Sequence, residues 1–196
     1  GKKMSKSIGN VIIPQEICNK YGADILRLWV ASTDYSAELN LSKTILDRVI
    51  ESYRRIRNTL GFLLGNLEDF NHQEKINIEN ISNIDKFILI LLKNLQNEVN
   101  VDYKNYNFHQ ASNKIVSFCS EELGAFYLDI LKDRLYILKK NGVARKSAQT
   151  ALWHITNSLI RLMSPILSFT TYEAWNVFKK TFEQDEKKCF FTLEFH

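Results

Sequence analysis

The sequence predicts an all-α protein, a helical bundle of about five main helices entered through a basic loop and two short connecting helices. Three observations point there. Only two prolines and seven glycines interrupt 196 residues, so few positions force the backbone out of a helix. Apolar residues recur at three- and four-residue spacing over several long stretches. Capping residues stand just ahead of those stretches and turn residues just after them.

Residues 1 to 10 read Gly-Lys-Lys-Met-Ser-Lys-Ser-Ile-Gly-Asn, a loop carrying spaced lysines, two hydroxyls and a Gly-Asn turn signal. A lysine ammonium on a mobile loop suits a phosphate gripped briefly, since it is a compact point charge on a flexible stem. Pro14 opens a first short helix that runs to Tyr21, and Gly22 stops it. Ala23 to Ser32 forms a second helix, apolar almost all round at Ile25, Leu26, Leu28, Trp29 and Val30 and therefore buried. Asp24, three residues before Arg27, is that arginine's expected ion-pair partner. Thr33 to Leu41 is a loop.

The stretch from Ser42 to about Leu67 is expected to organise the rest. Ser42 can accept from an unpaired N–H of the first turn. Ile45, Leu46, Val49, Ile50, Tyr53, Ile56, Leu60, Leu63, Leu64 and Leu67 then make one apolar stripe, on a helix that spans roughly 40 Å at its usual rise. At about 100° per residue, Lys43, Arg54 and Arg57 fall on one flank of the stripe, together with Gly61 and Gly65. Arg48 and Arg55 fall on the far face. Glycine costs about 1 kcal/mol in a helix interior, so this pair predicts a close backbone approach. Two readings stand: a solvated basic helix packed tightly on a neighbour, or a cationic shelf suited to a phosphate backbone.

Glu68 to Asn83 reads as a polar surface connection without chemistry. Asp85 to about Asn105 is the next helix, with Phe87, Ile88, Leu91, Leu92, Leu95, Val99 and Tyr103 apolar. Asn107 is expected to cap one continuous helix that reaches Leu138. Its second half, Phe126 to Arg134, carries charges of alternating sign at helical spacing, an expected ion-pair lattice. Lys132 and Arg134 are also candidates for contacting RNA. Asn141-Gly142 turns the chain into a helix from about Arg145 to Met163, which Ser164-Pro165 ends. A shorter helix, about Thr171 to Phe178, follows, and the tail to His196 is expected along the bundle surface.

The net charge of +4 and pI near 8.9 are compatible with nucleic acid and do not demand it. Cys18, Cys119 and Cys189 are far apart, so neither a disulfide framework nor a zinc site is expected. His72, His109, His154 and His196 form no cluster with acids or cysteines. The longest apolar run, Phe87 to Leu92, is far below the roughly 20 residues that span a bilayer. The chain opens on Gly1 and is read as an excised piece.

Lys3-Met4-Ser5-Lys6-Ser7 matches the KMSKS signature of class I aminoacyl-tRNA synthetases. Further stretches carry the same resemblance: Gly22-Ala-Asp-Ile-Leu-Arg-Leu-Trp-Val-Ala-Ser-Thr-Asp-Tyr35, Ser52-Tyr-Arg-Arg-Ile-Arg-Asn-Thr59, Phe126-Tyr-Leu-Asp-Ile-Leu-Lys-Asp-Arg134 and Met163-Ser-Pro-Ile-Leu-Ser-Phe169 leading to Glu173-Ala-Trp175. Over nearly its whole length the chain resembles the isoleucyl-tRNA synthetase family, from the KMSKS loop through the helical anticodon-binding domain. The valyl enzymes are similar in outline and rank second.

The resemblance implies residues 1–40 as the end of the catalytic domain with its connecting segment, and 41–196 as the anticodon-binding bundle. It implies a parent that activates isoleucine with ATP and Mg2+ and charges tRNA(Ile). Lys6, assisted by Lys3, would act catalytically on the ATP phosphates, with Ser5 and Ser7 shaping the loop. Arg54, Arg55, Arg57, Lys132 and Arg134 would contact tRNA. The amino-acid pocket and the editing domain would lie elsewhere in the parent chain, and no zinc ligands are present here. The fragment alone is expected to make no adenylate, and the protein to be a cytoplasmic monomer. A helical RNA- or protein-binding module outside any ligase, and a plain scaffold with solubilising charges, are the competing readings.

Overall fold

A computed structural model describes residues 4–36, 41–181 and 190–192. It contains eight α-helices and no strand among these residues. They are α1 (Pro14–Tyr21), α2 (Ala23–Ser32), α3 (Lys43–Gly65), α4 (Asn83–Lys104), α5 (Phe108–Ser117), α6 (Leu128–Tyr136), α7 (Val143–Met163) and α8 (Ser168–Phe178). The expected all-α bundle, with a loop and two short helices leading into it, is what the chain forms.

Local signals explain most boundaries. Pro14 sits in the first turn of α1, where its missing N–H costs nothing. Gly22 joins α1 to α2 at φ 91°, a conformation that a side chain disfavours. The Ser42 hydroxyl accepts from the Ile45 N–H at 3.2 Å and starts α3. Ser82 does the same for α4 through the Asp85 N–H.

The hub is α7 rather than α3. Ala148, Leu152, Ile155, Leu159 and Leu162 have no exposed surface, and α3, α4, α6 and α8 all pack on this helix. Several of its buried polar residues are satisfied locally or against neighbours, as burial usually requires, while the Asn157 side-chain oxygen has no partner among the described residues. Thr150 and Thr156 donate to the carbonyls of Lys146 and Leu152. Gln149 donates to the Asn66 carbonyl and to Asp69. By contrast α3 keeps a wet face and buries Val49, Ile56, Leu60 and Leu63. An apolar stripe predicts one buried face; a helix buried on most sides wins the centre.

Four expectations are corrected. Gly61 and Gly65 mark no close approach, because a Cβ at either would meet nothing within 4 Å. The helix after Asn107 is not a uniform α-helix: a π-helical segment, Phe118–Tyr127, separates α5 from α6. Phe118, Cys119, Leu123, Tyr127 and Leu128 are all buried, and their four- and five-residue spacing fits a wider turn. Gly124 is favoured there, since a Cβ would stand 3.0 Å from the Cys119 carbonyl oxygen, a tighter contact than side chains usually make. Asn107 makes no side-chain cap; the chain reverses instead through Tyr106 at φ 60°.

Lastly, the polar connection after α3 is not a free surface loop. It buries Phe70 and Ile81 and is tied to α7. The Ile76 and Ser82 N–H groups donate to the hydroxyls of Thr150 and Ser147, and the Lys75 ammonium stands 3.8 Å from the Trp153 ring centre. The described part of the tail packs by aromatic contact, with Phe190 stacked on Trp175 at 5.1 Å. Residues 182–189 and 193–196 lie outside the described set.

Candidate functional site

The signature loop is held in shape by its own atoms. The Ser5 N–H donates to the Asn10 side-chain oxygen at 2.7 Å, and the Ser5 and Ser7 hydroxyls share a 2.7 Å hydrogen bond. Lys6–Ile8 makes one 3-10 turn, closed by Gly9 at φ 71°. This leaves the Lys6 side chain exposed on the crest of a short, ordered turn. Lys3 lies outside the described residues.

Behind the loop, α2 is fastened to the bundle by two charged residues that do not pair with each other. Arg27 donates from Nε to the Ile166 carbonyl at 2.8 Å and from Nη2 to the Pro165 carbonyl at 2.7 Å. Asp24, itself buried, accepts from the Thr170 N–H at 2.7 Å and the Thr170 hydroxyl at 2.6 Å. The expected Asp24–Arg27 pair is therefore replaced by two long-range anchors on the α7–α8 turn. Asp24 satisfies first-turn donors of α8, which has no cap of its own from Leu167. The Thr170 hydroxyl also meets the Tyr53 hydroxyl at 2.9 Å, bringing in α3. Sequence reasoning placed Tyr53 only on an apolar stripe, and nothing local signals a partner 117 residues away.

The α3 arginines divide as the helical wheel implied. Arg54 and Arg57 are exposed on the flank of the packed stripe. Arg55 is exposed on the far side, with a long 3.5 Å ion pair to Glu51 one turn earlier. Such a surface pair is weak, so all three guanidinium groups remain available to a ligand.

The two α6 candidates separate sharply. Lys132 is exposed and bonded to Asp129 at 2.7 Å within its own helix, as the ion-pair lattice predicted. Arg134 is turned inward. Its Nη1 and Nη2 donate to the two carboxylate oxygens of Asp85 at 2.8 and 2.7 Å, and Nη2 also donates to the Ala144 carbonyl at 2.8 Å. Asp85 further accepts from the Tyr127 hydroxyl at 2.7 Å and from the Ser147 hydroxyl. Burial pushes the Asp85 carboxyl up, but bonds from Arg134, Ser147, Tyr127 and Ser82 outweigh it and leave it below its ordinary value. Arg134 is thus corrected from an RNA candidate to a structural cation.

Two further groups bear on chemistry. Burial pushes the Cys119 thiol up to about 12, which makes it inert. Among the described residues, no group of three or more His, Cys, Asp and Glu can hold a metal ion. No helix among them is long and apolar enough to cross a membrane.

Comparison with known proteins places these features. The family described as class I tRNA synthetases (I, L, M and V) matches residues 1–42, and the family described as the anticodon-binding domain of tRNA ligase matches residues 85–195. An isoleucine–tRNA ligase of Neisseria meningitidis serogroup C is 61% identical over 179 residues, 90% of this chain and 19% of the relative. The isoleucine–tRNA ligase of Paraburkholderia phytofirmans is 53% identical over 197 aligned residues, 100% of this chain and 20% of the relative. This chain therefore spans about a fifth of the length of the curated relatives it matches. A crystal structure of an Agrobacterium radiobacter LeuRS–tRNA–LeuAMS complex superposes with a TM-score of 0.65 over 91% of this chain and 21% of that one, at 22% identity. That likeness supports the fold. With its helical bundle and a family match over more than half its length, the chain belongs to the anticodon-binding domain family of tRNA ligases.

Proposed function

We propose that this chain is the tRNA-docking part of an isoleucine–tRNA ligase, and that residues 1–40 carry the loop that contacts ATP. The observation that carries the reading is the 61% identity over 179 residues to a relative named isoleucine–tRNA ligase. In this reading the whole protein, a cytoplasmic monomer, works in two steps. The isoleucine carboxylate attacks the α-phosphorus of ATP–Mg2+, a P–O bond breaks, and pyrophosphate leaves. A terminal ribose hydroxyl of tRNA(Ile) then attacks the aminoacyl carbonyl and expels AMP.

The exposed Lys6 ammonium offsets negative charge growing on the departing phosphates. Charge stabilisation of this kind is worth about 3–4 kcal/mol of barrier. The Ser5–Ser7 hydrogen bond fixes the turn on which Lys6 stands, and Lys3 assists. Residues 41–196 hold the anticodon arm. There Arg54, Arg55 and Arg57 contact phosphates or stack on an unpaired base, and Lys132 adds a phosphate contact. Mg2+ arrives with the nucleotide.

The test is a titration of the chain with tRNA(Ile) and with the same tRNA carrying a changed anticodon, at two salt concentrations. Discrimination of about 1–3 kcal/mol per base that survives the higher salt supports anticodon reading by the bundle. Equal binding that collapses with salt reduces the chain to phosphate contacts. No binding sinks the reading.

A further inference from the structure

On the opposite side of α3 from Arg54 and Arg57, a cleft of about 380 Å³ opens between α2, α3 and α5. Its walls include Trp29, Arg48, Ser52 and Asn113. The volume is within the range of small-ligand sites, commonly about 300–1,000 Å³.

The chemistry of the walls is one-sided. No carboxylate lines the cleft. Arg48 and Asn113 are exposed and, with half-buried Ser52, make no hydrogen bond or ion pair among the described residues. The indole N–H of Trp29 also has no acceptor, but it is shielded from solvent, so Trp29 contributes ring surface rather than a donor. Arg48, Asn113 and Ser52 thus offer a guanidinium, an amide and a hydroxyl around one space. The other hydroxyls are spoken for: Ser32 and Thr33 both donate to the Trp29 carbonyl, and Ser112 donates to Phe108. What the cleft lacks is an anionic acceptor, while the Leu28, Ile45, Val49 and Val116 side chains give it an apolar floor. An anion with an attached flat or apolar portion fits both halves.

We propose that this cleft is a second RNA contact, taking one nucleotide of a polynucleotide: its phosphate on Arg48 and Asn113, its sugar or base against the apolar floor beside Trp29. The site lies outside the Arg54–Arg57 flank and rests on the reading of the chain as a tRNA-docking module. The polynucleotide is favoured over a free anion because a lone phosphate would leave the apolar floor uncovered. Two basic surfaces on opposite sides of one helix also suit a ligand long enough to wrap it.

The test uses the chain and tRNA(Ile), with inorganic phosphate and a mononucleotide as separate probes. Arg48→Gln should weaken tRNA binding roughly tenfold, with unchanged helix content by circular dichroism, and should lower the salt slope by about 0.9. Arg48→Lys should restore the slope but only part of the affinity, because an ammonium cannot reproduce a guanidinium fork. Of the three tryptophans, Trp153 and Trp175 are only 4% exposed. Quenching of fluorescence by tRNA should therefore come largely from Trp29 and disappear in Trp29→Phe. If Arg48→Gln and Asn113→Ala bind like the wild type while Arg54→Gln and Arg57→Gln do not, the docking reading stands and the second contact is refuted. If phosphate or the mononucleotide alone saturates the quench at concentrations comparable to tRNA, the cleft is a small-anion site and the RNA assignment fails. If the wild type binds no tRNA, both readings fail.

Discussion

Arg134 and Asp85 face each other in a two-bond fork across 49 residues of sequence, and the carboxylate they share has no exposed surface. The fork joins the first turn of α4 to α6, and the hydroxyls of Tyr127 and Ser147 bring in the π-helical segment and α7. Four pieces of the bundle thus meet on one carboxylate. Asp85 near the start of α4 also complements the positive end of that helix.

Removing one partner should be costly. Arg134→Met leaves a buried carboxylate without its cation, and the expected loss is about 3–5 kcal/mol. Urea unfolding followed by circular dichroism measures it. Replacing both partners, as Asp85→Leu with Arg134→Met, should recover part of that loss, because burying an apolar pair costs no desolvation. A single Arg134→Met variant within about 1 kcal/mol of the wild type would refute the keystone role.

The same carboxylate sets an acid limit. Its folded-state value lies below the ordinary carboxylate range, which is about 3.9 in an unfolded chain. Its contribution is therefore fully present above that unfolded value and is lost as pH falls through the lower, folded value. Unfolding free energy should be level near neutrality in this respect and should drop below about pH 4. In Asp85→Asn the acid-side slope should shrink. An unchanged slope would place the titration elsewhere, with the carboxyl of Asp69, also held low against burial by Arg145 and Gln149, as the next to examine.

How much of this was legible follows from where each signal lives. The helix start at Ser42, the stop at Gly22 and the end of α7 at Ser164-Pro165 are short-range chemistry, and sequence alone placed them well. The charged residues were misassigned for the opposite reason. Arg134 and Arg54 look alike in a sequence, since each lies at helical spacing among other charges. Only the three-dimensional position of Asp85 distinguishes the buried fork from the exposed guanidinium. Asp24 and Arg27 failed similarly: three-residue spacing made them a plausible local pair, yet each finds better partners across 138 residues or more. The π-helical segment did leave a trace, in Gly124 and in the wide spacing of Phe118, Leu123 and Leu128. A three-to-four template does not look for that spacing.

The glycines of α3 give a prediction opposite in sign to the sequence expectation. A close approach would make any substitution at Gly61 harmful, but open space surrounds its would-be Cβ. Gly61→Ala should therefore stabilise the chain by about 0.4–1 kcal/mol, by removing unfolded-state freedom and raising helix propensity. Gly124→Ala should destabilise it, because the Cβ would stand 3.0 Å from a carbonyl oxygen of the fixed π-helical turn. Thermal melts of the two variants, side by side, check both signs at once.

The anchor of α2 makes a third structural prediction. Asp24→Ala strips the buried acceptor from the Thr170 N–H and hydroxyl, and the loss of a helix-terminal acceptor costs about 0.5–2 kcal/mol. Thr170→Val removes the hydroxyl that joins Asp24 to Tyr53 but keeps the backbone bond, so its effect should be the smaller one. Hydrogen exchange in α8 should rise in Asp24→Ala ahead of exchange in α4. Equal rises in both helices would mean that Asp24 supports the whole bundle rather than the α7–α8 turn.

The contrast between exposed and buried arginines supplies the last prediction. Arg54→Gln with Arg57→Gln removes two accessible charges from the α3 flank and disturbs no hydrogen bond among the described residues. Stability should stay within about 0.5 kcal/mol of the wild type, while the slope of log affinity for tRNA against log salt should fall by about 1.8, two phosphates at about 0.9 each. Lys132→Gln should do less, since Asp129 already competes for that ammonium. Arg134→Met should behave in the reverse way: large loss of stability, and an unchanged salt slope for whatever fraction stays folded. A salt slope that fell for Arg134→Met and held for the α3 double variant would put the RNA on α6 and return Arg134 to the interface.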